Sequence, residues 1–108
     1  MGNRNYNMPN QIQSLLVDFL EYLDKQKNRS FLTIRNYDFY LRRFLEFSRI
    51  SQPAEISREL IEKYRRYLNQ LTVRNKPLNQ VTINYHLIAL RSFLRYSGRT
   101  LNPTSLMV

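Results

Sequence analysis

The sequence of 108 residues has no cysteine and a single histidine, His86. Without cysteine, the chain has no disulfide framework, no thiolate ligand for zinc and no cysteine nucleophile. One histidine forms neither a metal-binding cluster nor a relay with a second histidine, so we expect no metal and no cofactor. The only glycines are Gly2 and Gly98, which excludes a glycine-rich phosphate loop. Helix capping and ion pairs between residues four positions apart explain the carboxylates, so they do not indicate a catalytic acid and base. We therefore predict that the isolated chain is not an enzyme.

Proline and glycine are scarce, at four and two residues, and this scarcity favours helices throughout the chain. The length is that of one domain, and a hydrophobic content of 43% is sufficient for one core. No apolar run reaches transmembrane length, and the polar N-terminus lacks the hydrophobic part of a signal peptide. We therefore predict a cytoplasmic protein that does not bind membranes.

Acidic residues are absent after Glu62, although the segment from Lys63 to Val108 contains eight lysines or arginines. Almost all of the net charge of +9 therefore lies in the C-terminal half. Charge of one sign on part of a small domain costs self-repulsion and is typical of a surface that binds a polyanion. The first candidate for a partner is nucleic acid.

Apolar residues recur at helical spacing in four segments, about 11–27, 31–49, 58–71 and 80–97. Polar N-caps precede these segments, and Gly98 is the predicted C-terminal glycine of the last one. The stretch 72–78 is predicted to be a polar, basic loop. The predicted fold class is all-α, a compact bundle of four main helices. We expect a flexible tail at 1–9, the four-helix domain at 10–98 and the start of a linker at 99–108.

Arginines lie on the polar sides of the second and fourth helices. Arg35, Arg42 and Arg49 are seven residues apart, so they form a basic row along helix two. Arg91 and Arg95 have no acidic residue four positions before or after them, so pairing within the helix does not explain them. We expect the basic row and these two arginines to share one concave positive face.

Three segments resemble the N-terminal region of the tyrosine recombinases, the family of phage integrases and Xer-type enzymes. The first is Ser30-Phe31-Leu32-Thr33 followed by Tyr37, Leu41, Phe44 and Phe47. The second is Val81-Thr82-Ile83-Asn84-Tyr85-His86-Leu87 followed by Ala89-Leu90-Arg91-Ser92-Phe93-Leu94-Arg95-Tyr96. The third, Leu101-Asn102-Pro103-Thr104, resembles the start of the family's interdomain linker. The resemblance covers about residues 11–104.

The resemblance implies a core-binding domain, an N-terminal four-helix bundle also called SAM-like. In that family, this domain grips one face of duplex DNA while a separate C-terminal domain cuts and rejoins the strands. It implies a role in DNA integration and recombination, with double-stranded DNA and other recombinase protomers as partners. The catalytic residues of the family belong to the C-terminal domain, which would follow the linker. We expect the isolated fragment to be monomeric.

The resemblance also places helices two and four at the major groove of DNA. Thr33, Arg35 and Asn36 would approach from helix two. Thr82, Tyr85 and His86 would approach from the start of helix four. The full set of expected DNA-binding residues is Thr33, Arg35, Asn36, Arg43, Lys76, Thr82, Asn84, Tyr85, His86, Arg91 and Arg95.

Other interpretations stay open. A stand-alone helix-turn-helix regulator and a basic module that binds an acidic partner are alternative functions. Thr33 and Thr82 are equally well explained as supports of helix starts, and Tyr85 and His86 as ordinary boundary residues. Arg42 has Asp38 and Glu46 within pairing distance along the helix, and pairs of Glu59 with Lys63 and of Glu62 with Arg66 are also expected.

Overall fold

Four helices form the structure, a computed structural model that describes residues 10–98. They are α1 (Gln11–Lys25), α2 (Phe31–Ser48), α3 (Arg58–Gln70) and α4 (Gln80–Ser97), with a short 3-10 turn at Pro53–Glu55. The predicted all-α bundle is confirmed. The expected tail at 1–9 and linker at 99–108 lie outside the described residues. Within the described range, none of the helices has the length and apolarity needed to cross a bilayer.

Each helix is preceded by a polar residue that caps it, as expected for Asn10, Ser30 and Ser57, and for α4 the cap is Asn79 rather than Gln80. Asn10 Oδ1 accepts a hydrogen bond of 2.9 Å from the Gln13 amide, and the Gln13 side chain accepts one of 3.3 Å from the Asn10 amide. Ser30, Ser57 and Asn79 accept from the third helical amide in the same way. Such a cap satisfies one of the amides that lack a partner at a helix start and contributes about 1 kcal/mol.

The C-terminal ends of α2 and α4 differ in their backbone conformation. Arg49 follows α2 in the left-handed region, with φ of 59°, although the side chain of a non-glycine residue disfavours it. Gly98 does end α4, but its φ of −64° lies in the ordinary helical region. The left-handed conformation expected of a C-terminal glycine is therefore found at an arginine instead.

The segment 72–78, predicted to be a polar, basic loop, is an exposed connection that contains a small antiparallel hairpin, which the sequence did not predict. Strand β1 (Thr72–Val73) pairs with strand β2 (Lys76–Pro77). Arg74 and Asn75 form the turn with φ of 56° and 66°, and two successive positive values are typical of a type I′ hairpin turn. A helix-turn-helix joins its helices through a turn of about three or four residues. The hairpin between α3 and α4 is therefore not such a turn.

The core lies between the four helices and is rich in aromatic rings. The ring of Phe19 in α1 lies 6.4 Å from Tyr37 in α2, and 5.5 Å and 5.3 Å from Phe93 and Tyr96 in α4. Helix α3 joins the core through Tyr64, whose ring lies 5.0 Å from that of Phe44. Burial of each large apolar side chain contributes about 1.5–3 kcal/mol. This packing fixes α2 against α4 and so sets the surface that the two helices present.

Candidate nucleic-acid interface

Helices α2 and α4 pack directly against each other, and a cluster of polar and aromatic side chains lies at their contact. We call this group the seam cluster. It consists of Phe39, Tyr40 and Arg43 of α2 and of His86 of α4, whose ring bonds to the backbone carbonyl of Thr82. The rings of Tyr40 and His86 are 4.3 Å apart, and those of Phe39 and Tyr40 are 6.0 Å apart. The cluster brings together residues of the two helices that sequence reasoning assigned to DNA.

Arg43 is the cation of the seam cluster. Its Nη1 lies 3.1 Å from Nε2 of His86, and its Cζ lies 4.9 Å from the centre of the Phe39 ring. The side chain is half-buried, yet no carboxylate in residues 10–98 lies within ion-pair distance of it. A half-buried guanidinium is usually neutralised by an acidic partner. Here the positive charge remains available to a ligand.

His86 is buried, with only 1% of its surface exposed. Its Nδ1 lies 2.8 Å from the carbonyl oxygen of Thr82. Because a carbonyl oxygen only accepts, Nδ1 carries the proton and Nε2 is left to accept from Arg43. Burial holds the pKa of His86 below its ordinary value, and the positive charge of Arg43 lowers this pKa further. The hydrogen bond to Thr82 acts in the opposite direction and raises it. A ring at this depth does not reach a ligand on the surface, so the expected direct contact with DNA does not fit this placement.

Exposed side chains lie within the seam cluster and beside it on both helices. Phe39 is 56% exposed and Tyr85 is 52% exposed, although both are large aromatic residues. Asn36 is exposed and lies seven residues before Arg43, so the two share one side of α2. Exposed aromatic rings and amides beside an unneutralised cation are suited to contacts with bases and phosphates.

The two threonines among the expected DNA-binding residues lie at helix starts. Thr33 Oγ1 accepts a hydrogen bond of 3.0 Å from the Ser30 hydroxyl, and the Thr82 amide donates to Asn79 Oδ1 at 2.8 Å. Both threonines are half-buried. The Thr33 side chain is therefore explained as a support of a helix start, whereas at Thr82 only the backbone amide takes part in the cap.

Two members of the basic row of α2, Arg42 and Arg49, lie beside α1. Arg42 donates to Asp38 Oδ1 at 2.6 Å, as the sequence allowed. Together with Arg49, it lines a groove against Asn10 and Ile12 at the start of α1. Arg42 and Arg49 therefore lie in a different groove from Arg91, which contradicts the expectation that the whole row and the arginines of α4 share one concave positive face.

A second groove, between α3 and α4, is lined by Arg65 and Arg91. Arg65 pairs with Glu62 at 3.4 Å, whereas the sequence predicted that Glu62 would pair with Arg66. Arg91 is exposed and has no ion-pair partner in the described part of the chain.

The remaining polar residues of the expected set are exposed. Asn84 Oδ1 accepts a hydrogen bond of 3.1 Å from the side chain of Gln80 within α4. Lys76 lies in strand β2, close to the hairpin turn. The full group of exposed residues from the expected set is Arg35, Asn36, Lys76, Asn84, Tyr85, Arg91 and Arg95.

Residues 16–100 match the family model described as phage integrase, N-terminal SAM-like domain. The chain belongs to this family. The matched range contains α2, α3 and α4 completely and α1 from Leu16 onward, so the resemblance seen in the sequence is confirmed. Comparisons with curated proteins and with solved structures give no match.

In this SAM-like domain, sequence reasoning missed the contact between Arg43 and His86. One signal was available, because His86 lies between Ile83 and Leu90 at the helical spacing of the apolar stripe, which predicts burial. Its partner is 43 positions away in the sequence and on another helix, so periodicity alone does not identify it. Among residues 10–98, no group of three potential ligand side chains comes together to hold a metal ion.

Proposed function

We propose that this domain binds duplex DNA through the face formed by α2 and α4, as the core-binding domain of a site-specific tyrosine recombinase. The observation that carries the proposal is the unneutralised charge of that face. Helix α4 contains no acidic residue, and its exposed Arg91 and Arg95 have no carboxylate partner among the described residues. Arginines of this kind neutralise DNA phosphates and release counterions, which gives favourable and salt-dependent binding.

The residues proposed to contact DNA divide into two groups by the contacts that their chemistry suits. Arg43, Arg91 and Arg95 provide the main phosphate contacts, Arg91 from the edge of α4 that lies beside α3, with Arg35 and Lys76 as outer ones. The neutral side chains Asn36, Asn84, Tyr85 and Phe39 lie among these cations, where hydrogen bonds and apolar contacts to base edges would give sequence preference. Thr33 contributes by supporting the start of α2.

The strand cleavage and rejoining of the recombination reaction is assigned to a separate C-terminal domain. Residues 99–108 form the start of the linker to it in this proposal, which family membership supports. The domain then acts as a clamp in the cytoplasm, with DNA and other recombinase protomers as its partners in integration and recombination. Alone it is a monomer, and its affinity is lower than that of the two-domain protein.

The proposal is tested by titrating a labelled duplex with the domain at several salt concentrations. We expect binding at low salt that weakens steeply as salt rises, and that weakens further in Arg91→Glu and Arg95→Glu. The matched control is Arg66→Glu, because Arg66 is exposed on the side of α3 opposite its buried stripe. Circular dichroism checks that each variant is folded. A wild-type domain that does not bind duplex DNA at low salt refutes the proposal.

A further inference from the structure

The contact between Arg43 and His86 has an unusual composition, because it joins a cation to a neutral ring. Nδ1 of His86 donates to the Thr82 carbonyl at 2.8 Å, which leaves Nε2 as an acceptor for Arg43 Nη1 at 3.1 Å. Helix geometry already pairs the Thr82 carbonyl with the backbone amide of His86. The bond between the ring and this carbonyl therefore adds orientation rather than satisfying an otherwise unpaired oxygen.

The environment of Arg43 holds the side chain without cancelling its charge. The Phe39 ring lies 4.9 Å below the guanidinium, and the imidazole bonds to one of its N–H groups. A carboxylate in the place of His86 would fix the guanidinium equally well but would neutralise it. The other N–H groups of Arg43 have no protein acceptor in the described part of the chain. A planar guanidinium with free donors is suited to a phosphate group.

We infer that His86 is a positioning residue that holds the Arg43 guanidinium against one phosphate of a DNA backbone. This inference rests on the proposed function. Nε2 of His86 fixes the direction of the guanidinium, and the ring of Phe39 supports it from one side. The ligand class is a phosphodiester, and His86 itself does not touch it. A side chain that is already ordered loses little conformational freedom when the phosphate binds.

A matched pair of variants tests the inference. In His86→Gln, the amide oxygen reaches about as far as Nε2 and still accepts from Arg43. In His86→Asn, the shorter amide still donates to the Thr82 carbonyl but does not reach Arg43. We expect the asparagine variant to bind a labelled duplex about tenfold more weakly than the wild type, and the glutamine variant to bind nearly as well, because a hydrogen bond to a charged group is lost only in the former.

A double-mutant cycle with Arg43→Met separates positioning from a general loss of structure. We expect Arg43→Met alone to weaken binding about tenfold. It should also make the slope of log affinity against log salt less negative by about 0.9. The double variant with His86→Asn should then be no weaker than Arg43→Met alone. Thermal melts establish the temperature below which all variants are folded, and the titrations are carried out in that range.

The outcomes distinguish the inference from the proposed function. Equal binding by the glutamine and asparagine variants, or additive losses in the double variant, overturns the role of His86 while DNA binding stands. A wild-type domain that does not bind the duplex refutes the proposed function itself. The inference is supported if His86→Gln retains its affinity for DNA and His86→Asn loses affinity. The loss in His86→Asn must also not add to the loss in Arg43→Met.

Discussion

Replacing Arg91 by glutamine should reduce the salt dependence of DNA binding by one phosphate contact. Arg43, Arg91 and Arg95 carry charge that no carboxylate neutralises among residues 10–98. Each phosphate contact contributes about 0.9 to the slope of log affinity against log salt, so three contacts give a slope of about −2.7. Between about 50 mM and 200 mM salt, the affinity of the wild type should then fall about 40-fold. With two contacts left, the fall should be about 12-fold.

Fluorescence anisotropy of a labelled duplex, measured over this range of salt, gives both slopes. Outer contacts from Arg35 and Lys76 would make both slopes steeper but leave their difference at about 0.9. Arg66→Gln removes the same charge from the exposed side of α3 and should leave the slope unchanged. If Arg91→Gln and Arg66→Gln make the slope less negative by the same amount, DNA binding depends only on the total charge of the domain. The assignment of the α2–α4 face is then wrong.

Three further predictions concern stability. Because the folded pKa of His86 is lowered from 6.5, its contribution is fully present above about pH 6.5 and is lost as the pH falls toward the folded pKa. Thermal melts should show this loss in the wild type but not in His86→Gln, and an equal loss in both would exclude His86 as its source. Arg49→Gly should raise the free energy of unfolding by about 0.5–1 kcal/mol, because a φ of 59° is sterically unfavourable for arginine but not for glycine. A decrease in denaturant titrations would contradict this reason. Tyr64→Phe should raise the stability by about 1 kcal/mol, since the buried Tyr64 hydroxyl has no hydrogen-bond partner within the described range. A loss of stability would show that this hydroxyl is bonded in solution.

The helices were predictable because their determinants are local. Asn10, Ser30 and Ser57 cap the helices at the positions where the sequence predicts caps, and the apolar spacing between them follows the helical period. The hairpin was not predictable in the same way. Its turn uses Arg74 and Asn75 with positive φ, without the glycine that normally indicates such a turn.

The arrangement of the candidate site was less predictable, because it depends on how the helices are rotated against their neighbours. Helical spacing places Arg42 and Arg49 on one side of α2, but only the packing shows that α1 lies beside this side. In the same way, spacing predicts that His86 is buried, whereas its contact with Arg43 depends on the position of α2 against α4. The family itself could be identified from motifs that lie within single helices.

An NMR titration of the ¹⁵N-labelled domain with a short duplex tests the central claim most directly. We expect the largest chemical-shift changes at Asn36 and Arg43 of α2 and at Tyr85 and Arg91 of α4. The outer side of α3 should change little. Shifts concentrated in the groove between α1 and the basic row of α2, or no shifts at low salt, would contradict the claim that the α2–α4 face binds DNA.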